Sequence, residues 1–143
     1  MSVANPAEIA AGPQAPADAF HRLLEPLLDQ QHFDDLVVHL NVQAYYSFGG
    51  DGSDRLLATI DLLGASRWPG GTRTTVVLRN MECAPPEERV AIGEACSKRG
   101  IPWYHSFDEA AVAVAAGQRF DRARSRHRAD GCDKGSDEGS DKG

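Results

Sequence analysis

Apolar positions recur along this chain with two periods that take turns. From Ala17 to Gln30, Phe20, Leu23, Leu24, Leu27 and Leu28 share one helical face, the spacing of an amphipathic helix. Asp35 then leads into an apolar run of strand length, Leu36-Val37-Val38-His39-Leu40-Asn41-Val42. After the glycine-rich loop Phe48-Gly49-Gly50-Asp51-Gly52, Ser53 is placed to N-cap a helix on which Leu56, Leu57, Ile60 and Leu63 recur at helical spacing. Trp68-Pro69-Gly70-Gly71 marks a turn, and the β-branched segment Thr74–Arg79 predicts a second strand. Pro85, Pro86, Glu87 and Glu88 open the next helix with the proline and acids that a first turn favours, and Lys98, Arg99 and Gly100 close it. Ile101–Tyr104 predicts a short third strand, and Ser106 caps a last helix from about Asp108 to Arg119.

The order α-β-α-β-α-β-α implies right-handed crossovers between parallel strands buried between two helical layers. The fold class expected is α/β, a partial flavodoxin-like three-layer sandwich with a short parallel sheet. It is partial because a doubly wound sheet of that type has five strands and three are visible here.

Composition divides the chain into three parts. Residues 1–17, rich in Ala and Pro, read as an extended lead-in; residues 18–120 carry the periodicity. Residues 121–143 hold no Val, Ile, Leu or aromatic, so they bury too little surface to offset their ordering entropy and are expected to form a disordered, charged tail. Arg119, Arg122, Arg124, Arg126 and Arg128 precede the acid-rich end DKGSDEGSDKG, which lacks the spacing of a calcium loop. The tail reads as a solvating segment, or as one that docks through its arginines.

At 143 residues, with 41% hydrophobic and 25% charged residues, the chain has the size and balance of one globular domain. It lacks an apolar run near the roughly 20 residues that span a bilayer, and its start is not basic-then-apolar. A cytoplasmic protein without a membrane partner is expected. The net charge of −6 argues against nucleic acid, which requires a basic face. Cys83, Cys96 and Cys132 make an odd count with no zinc spacing, so neither a disulfide nor a metal site is expected. Cys96, on a helix face, reads as a small buried hydrophobe.

The candidate chemistry gathers at strand ends. Gly49, Gly50, Asp51, Gly52 and Ser53 lie between a strand and a helix, where unpaired N–H groups, a positive dipole end and glycine backbone can cradle an anion. Asp51 opposes an anion, and glycine with serine also serves as a plain connection. His39 and His105 lack a glycine-rich context and read as structural histidines. Tyr45, Tyr46 and Phe48 form an aromatic patch with Trp103 and Tyr104 only if their two loops meet; a pocket wall and core closure are both open. Asn41 is placed to bond either the glycine loop or a ligand. There is no nucleophile elbow, GxxxxGK[ST] or GxGxxG, so no catalytic residue is assigned.

Several segments, taken in order, resemble one domain of the NDP-forming acyl-CoA ligases, the family of the ADP-forming acetate–CoA ligases and succinyl-CoA synthetase. Gly100-Ile101-Pro102-Trp103-Tyr104 with Phe107–Val114 is similar to that domain's "GIPvy…peeAarAl" ending. Asn5–Ile9 resembles its "NPvDl" segment, Asp35–Asn41 its "davLvn" strand, Phe48-Gly49-Gly50 its "fGG" loop and Thr75–Arg79 its "pvvvrl" strand. The resemblance covers roughly residues 5–120 and implies a succinyl-CoA synthetase β-like flavodoxin domain lacking its first β-α-β. Glu8 replaces the family's Asp, and Gln43–Tyr46 is read as an insertion.

The resemblance implies an accessory module or fragment of a ligase that joins a carboxylate to CoA with ATP, giving acyl-CoA, ADP and phosphate. Such a module is inactive alone. Its partner would carry the CoA-binding, phosphohistidine and ATP-grasp domains; CoA and ATP/ADP with Mg belong to the complete ligase, and none is bound by this chain alone. The alternative is a non-catalytic binding or scaffold domain that retains the fold.

With the family's first two strands missing, Leu36–Val42 becomes an unpaired apolar edge, an association site or a folding liability. The expected outcome is pairing with a partner chain or a homodimer through this edge, or else marginal stability. Gel filtration with a thermal melt checks it: a monomer with a cooperative, high-temperature transition contradicts the expectation.

Overall fold

The computed structural model describes residues 16, 18–30, 33–47, 49–66 and 68–132. The lead-in short of Pro16, the Asn5–Ile9 segment, His32, Phe48 and the tail beyond Cys132 lie outside the described residues. The elements in chain order are α1 (Ala19–Gln30), β1 (Asp35–Asn41), α2 (Val42–Ser47), α3 (Gly52–Ala65), β2 (Arg73–Arg79), α4 (Pro86–Lys98), β3 (Trp103–Tyr104) and α5 (Phe107–Cys132), with 3-10 turns at Pro69–Gly71 and Met81–Cys83. The class is α/β: three parallel strands in the order β1-β2-β3, with helices between them. Packing divides the chain after Ala110 into one unit that holds the sheet and a second that begins at Ala111.

Strand order explains where the core lies. Both crossovers run the same way along the sheet, so right-handed connections put α3 and α4 on one face, and these two helices pack together. The register sets Val38 beside Val76, Leu40 beside Leu78 and Val76 beside Trp103, which places these side chains on that same face. With Leu56, Ile60 and Leu63 of α3 and Ile92 and Cys96 of α4 they form the core, joined by Leu24 of α1 and by Trp68. Trp68 donates from Nε1 to Thr74 Oγ1 at 2.8 Å, so its buried polar atom is paired.

The two long strands differ as a centre and an edge do. Thr75, Val76, Val77 and Leu78 of β2 are all buried, on both faces. On β1 burial alternates: Val38 and Leu40 are inside, Val37 is 37% exposed and His39 is half-buried. Among the described residues β1 pairs only with β2, so its other side is a free edge, as the strand count predicts. Arg73 fixes the start of that pair, donating to Asp35 through Nε at 2.9 Å and Nη2 at 3.1 Å.

Two boundaries depart from the sequence reading. The apolar run does not continue as strand to Val42, and residues 43–46 are not a loop insertion, because Val42 opens the helix α2. Val42 and Tyr45, three apart, are both buried, and one helical turn anchored in the core replaces an extended segment. The last helix does not stop near Arg119 but runs to Cys132. Residues 119–128 are exposed throughout, so this stretch rests on the helix propensity of its alanines and arginines rather than on burial. Lack of apolar side chains removes packing without removing local propensity.

Ile92 is fully buried between α4 and the sheet while its neighbour Val90 is 62% exposed. Ile92→Ala should cost about 2–5 kcal/mol in urea unfolding and Val90→Ala under about 0.5 kcal/mol; equal costs would mean that this face of α4 is assigned wrongly.

Candidate functional site

Ligands of open α/β sheets bind beyond the carboxyl ends of the strands. Three segments lie there: α2 with the Gly49–Ser53 loop after β1, Asn80 with the Met81–Cys83 turn after β2, and His105 after β3.

The glycine loop is built largely by packing. Gly52 is buried, and a Cβ on it would lie 2.7 Å from the Tyr45 carbonyl carbon and closer still to the oxygen. Only glycine lets the start of α3 pass that close to the end of α2. Gly49, Gly50 and Asp51 are exposed and Ser53 is half-buried. Asp51 accepts from Arg55 Nε at 2.7 Å, and this bond holds its carboxyl below the usual carboxylate range. Asp51 and Asp54 thus flank a helix start whose nearby cation, Arg55, is engaged by Asp51. Among the described residues no three His, Cys, Asp or Glu side chains gather to hold a metal ion, and no helix is long and apolar enough to cross a membrane.

Helix α2 also separates the aromatics. Tyr45 turns into the core, its hydroxyl 3.5 Å from Thr59 Oγ1, which itself donates to the Arg55 carbonyl at 2.9 Å. Burial pushes the Tyr45 phenol up. Tyr46 instead donates to Glu88 of α4, tying α2 to α4, and burial together with that carboxylate raises its pKa. Asn41, at the end of β1, accepts from Asn80 Nδ2 at 2.9 Å, and Asn80 Nδ2 also reaches Gln43 Oε1 at 3.3 Å. Asn80 has φ 58°, a left-handed conformation that asparagine tolerates better than most residues.

Beyond β2 and β3 lies an open groove of about 460 Å³, lined by Met81, Glu82, Arg89, Val90, Trp103 and His105, with Gly93 at its floor. A Cβ at Gly93 would lie 3.2 Å from the Trp103 ring, so the glycine lets the indole lie against α4. His105 meets Trp103 edge-on, with centroids 5.2 Å apart and an interplanar angle of 85°. Arg89 is half-buried, and its Nε is buried without a hydrogen-bond partner. Sequence reasoning reaches Trp103 and His105 but misses Arg89, Met81 and Val90; the available signal was a base directly after the acidic first turn of α4.

His39 lies on the opposite face of the sheet, beside Val77 in register. Its ring is 5.2 Å from that of Phe107, and its Nε2 is buried without a partner. Burial first, and the Arg79 charge second, lower its pKa, consistent with a structural residue. Cys96 is fully buried, and burial pushes its thiol up to about 11, far from thiolate chemistry. Cys83 is exposed and free.

Comparison of the chain with protein-family models, with curated proteins and with solved structures found no match.

The histidine generates a pH dependence. Its folded-state pKa is below the unfolded value near 6.5, so below that pH the unfolded chain takes up the proton first and stability falls as pH drops toward the lowered value. In denaturant unfolding from pH 7.5 to 5, His39→Phe should lose less stability than the parent; parallel curves would remove His39 as the cause.

Proposed function

We propose that this chain is an accessory module, flavodoxin-like in arrangement and related to the C-terminal domain of the NDP-forming acyl-CoA ligases, which depends on a cytoplasmic partner for catalysis. The observation that carries the reading is the free edge of β1. Strands β1, β2 and β3 follow one another across the sheet, as the last three strands of a 2-1-3-4-5 sheet would, and the edge that is free among the described residues falls where the first two strands of such a sheet would pair.

In this reading the partner supplies the added strands, the CoA and nucleotide sites and the phosphohistidine. The Gly49–Ser53 loop, at the carboxyl end of the edge strand, faces the joint. Its two acids then call for cations from the partner before a substrate phosphate could be held there. The chain's own contribution is the buried β2 and the core beneath it, a platform for the strands that join.

The test is recovery of tagged protein from its native lysate, with the eluate assayed for ATP- and CoA-dependent acyl-CoA formation. The purified chain alone should be inactive and the eluate active. Disrupting the edge with Val37→Pro, which also removes a backbone donor, should abolish the recovered activity. An eluate without ligase activity would retire the ligase reading in favour of a binding or scaffold domain.

A further inference from the structure

The groove beyond β2 and β3 is not used by the ligase reading, and its chemistry is specific. A donor buried without a partner costs roughly 1–3 kcal/mol, more when it belongs to a charged group; native structures retain few. Arg89 lines the groove, and its Nε is such a donor, buried behind the part of the guanidinium that the groove exposes. The preceding acid in the chain, Glu88, accepts from Tyr46. The remaining lining is largely apolar: Met81 is buried at the base, Val90 is 62% exposed at the rim, and Trp103 offers a ring fixed by Gly93 behind and His105 at its edge. About 460 Å³ lies within the range of small-molecule sites, which combine an apolar lining with a few polar groups.

We propose that this groove binds a small monocarboxylate with a flat apolar body, its carboxylate on Arg89 and its body against Trp103, Met81 and Val90. A guanidinium pairs with carboxylate through parallel charge-assisted bonds, and a planar ring packs on indole and thioether. Glu82, also on the groove wall, sets the charge limit. Glu82 already offsets Arg89, so a monoanion leaves one uncompensated charge and a dianion two, and phosphate esters and inorganic phosphate are disfavoured. The site lies on α4 and β3, away from the β1 edge, and does not depend on the ligase reading.

The test titrates the full chain with phenylacetate, its neutral analogue phenylacetamide, and inorganic phosphate, following the two tryptophan indole N–H signals by NMR. Phenylacetate should move the Trp103 signal in a saturable way and leave Trp68, which is held by Thr74, in place. Phenylacetamide and phosphate should each bind at least about tenfold more weakly, and Arg89→Gln should cost about tenfold or more, the range for a lost charge-assisted bond. Val90→Glu places a repelling carboxylate at an exposed rim position and should cost a similar factor; it decides the matter if Arg89→Gln does not fold. An unmoved Trp103 signal, equal binding of the amide or phosphate, or unchanged affinity in folded variants would each overturn the proposal.

Discussion

Parallel strands require both faces covered and both edges occupied or protected, because their hydrogen bonds cannot close through tight hairpins. In this chain only β2 meets that requirement. Its four central residues are buried on both faces, and it is the one strand among the described residues with a neighbour on either side. The rest of the sheet-bearing unit is arranged around it. The two crossover helices lie on one face because the strand order runs in one direction, and the core follows from that choice. Strand β1 reads as half a solution, with a buried side at Val38 and Leu40 and an exposed Val37 opposite.

The turn into α2 decides what the carboxyl end of β1 can do. Had the strand run on through Val42, the tyrosines would have sat on a loop with the glycines, free to face a ligand. Once Val42 and Tyr45 anchor a helical turn in the core, the loop must leave from beneath it, and Gly52 is needed to pass the Tyr45 carbonyl. Steric need then explains Gly52 and a φ of 143° explains Gly49, while Asp51 and Asp54 stand at the start of the helix that follows. The groove further along the sheet has the reverse character: an unpaired guanidinium atom beside apolar surface. Of the two strand-end regions, the second is the one with a guanidinium set beside apolar surface, its charge offset by Glu82.

Most of the sheet and its helices were legible in the sequence because period and punctuation agreed. Pro86 with Glu87 and Glu88 began α4, and its end at Lys98 is closed by bonds from Gly100 to Ser97 and from Ile101 to Cys96. Strand β2 was legible from its β-branched residues, and Cys96 as a buried small residue from its place on α4. The failures have separate causes. Val42 continues an apolar run, and nothing local says that its burial will be met by helix rather than strand; tertiary packing against α3 decides it. The arginine-rich stretch after Arg119 was read from its missing apolar residues, although helix propensity is set by backbone and rotamer entropy. Arg89 was invisible as a site residue because its meaning depends on an unpaired atom, which spacing cannot reveal.

The β1 edge and the groove stand at opposite sides of the sheet with β2 between them, which bears on whether one surface could report on the other. Among the described residues two side-chain ties run from the end of β1 toward the groove: Asn41 to Asn80, whose next neighbours Met81 and Glu82 line it, and Tyr46 of α2 to Glu88, whose next neighbour Arg89 lines it. The neutral Asn41–Asn80 bond has a net worth of about 0.5–1.5 kcal/mol and the bond to the Glu88 carboxylate about 1.5–3 kcal/mol, so coupling is limited to about tenfold in affinity through the first and about a hundredfold through the second. Stronger coupling would require the β1–β2 ladder itself to shift, and β2 is held by close packing on both faces. On the proposed reading a chain added at the β1 edge completes the sheet, and these two ties bound how strongly it acts on the groove.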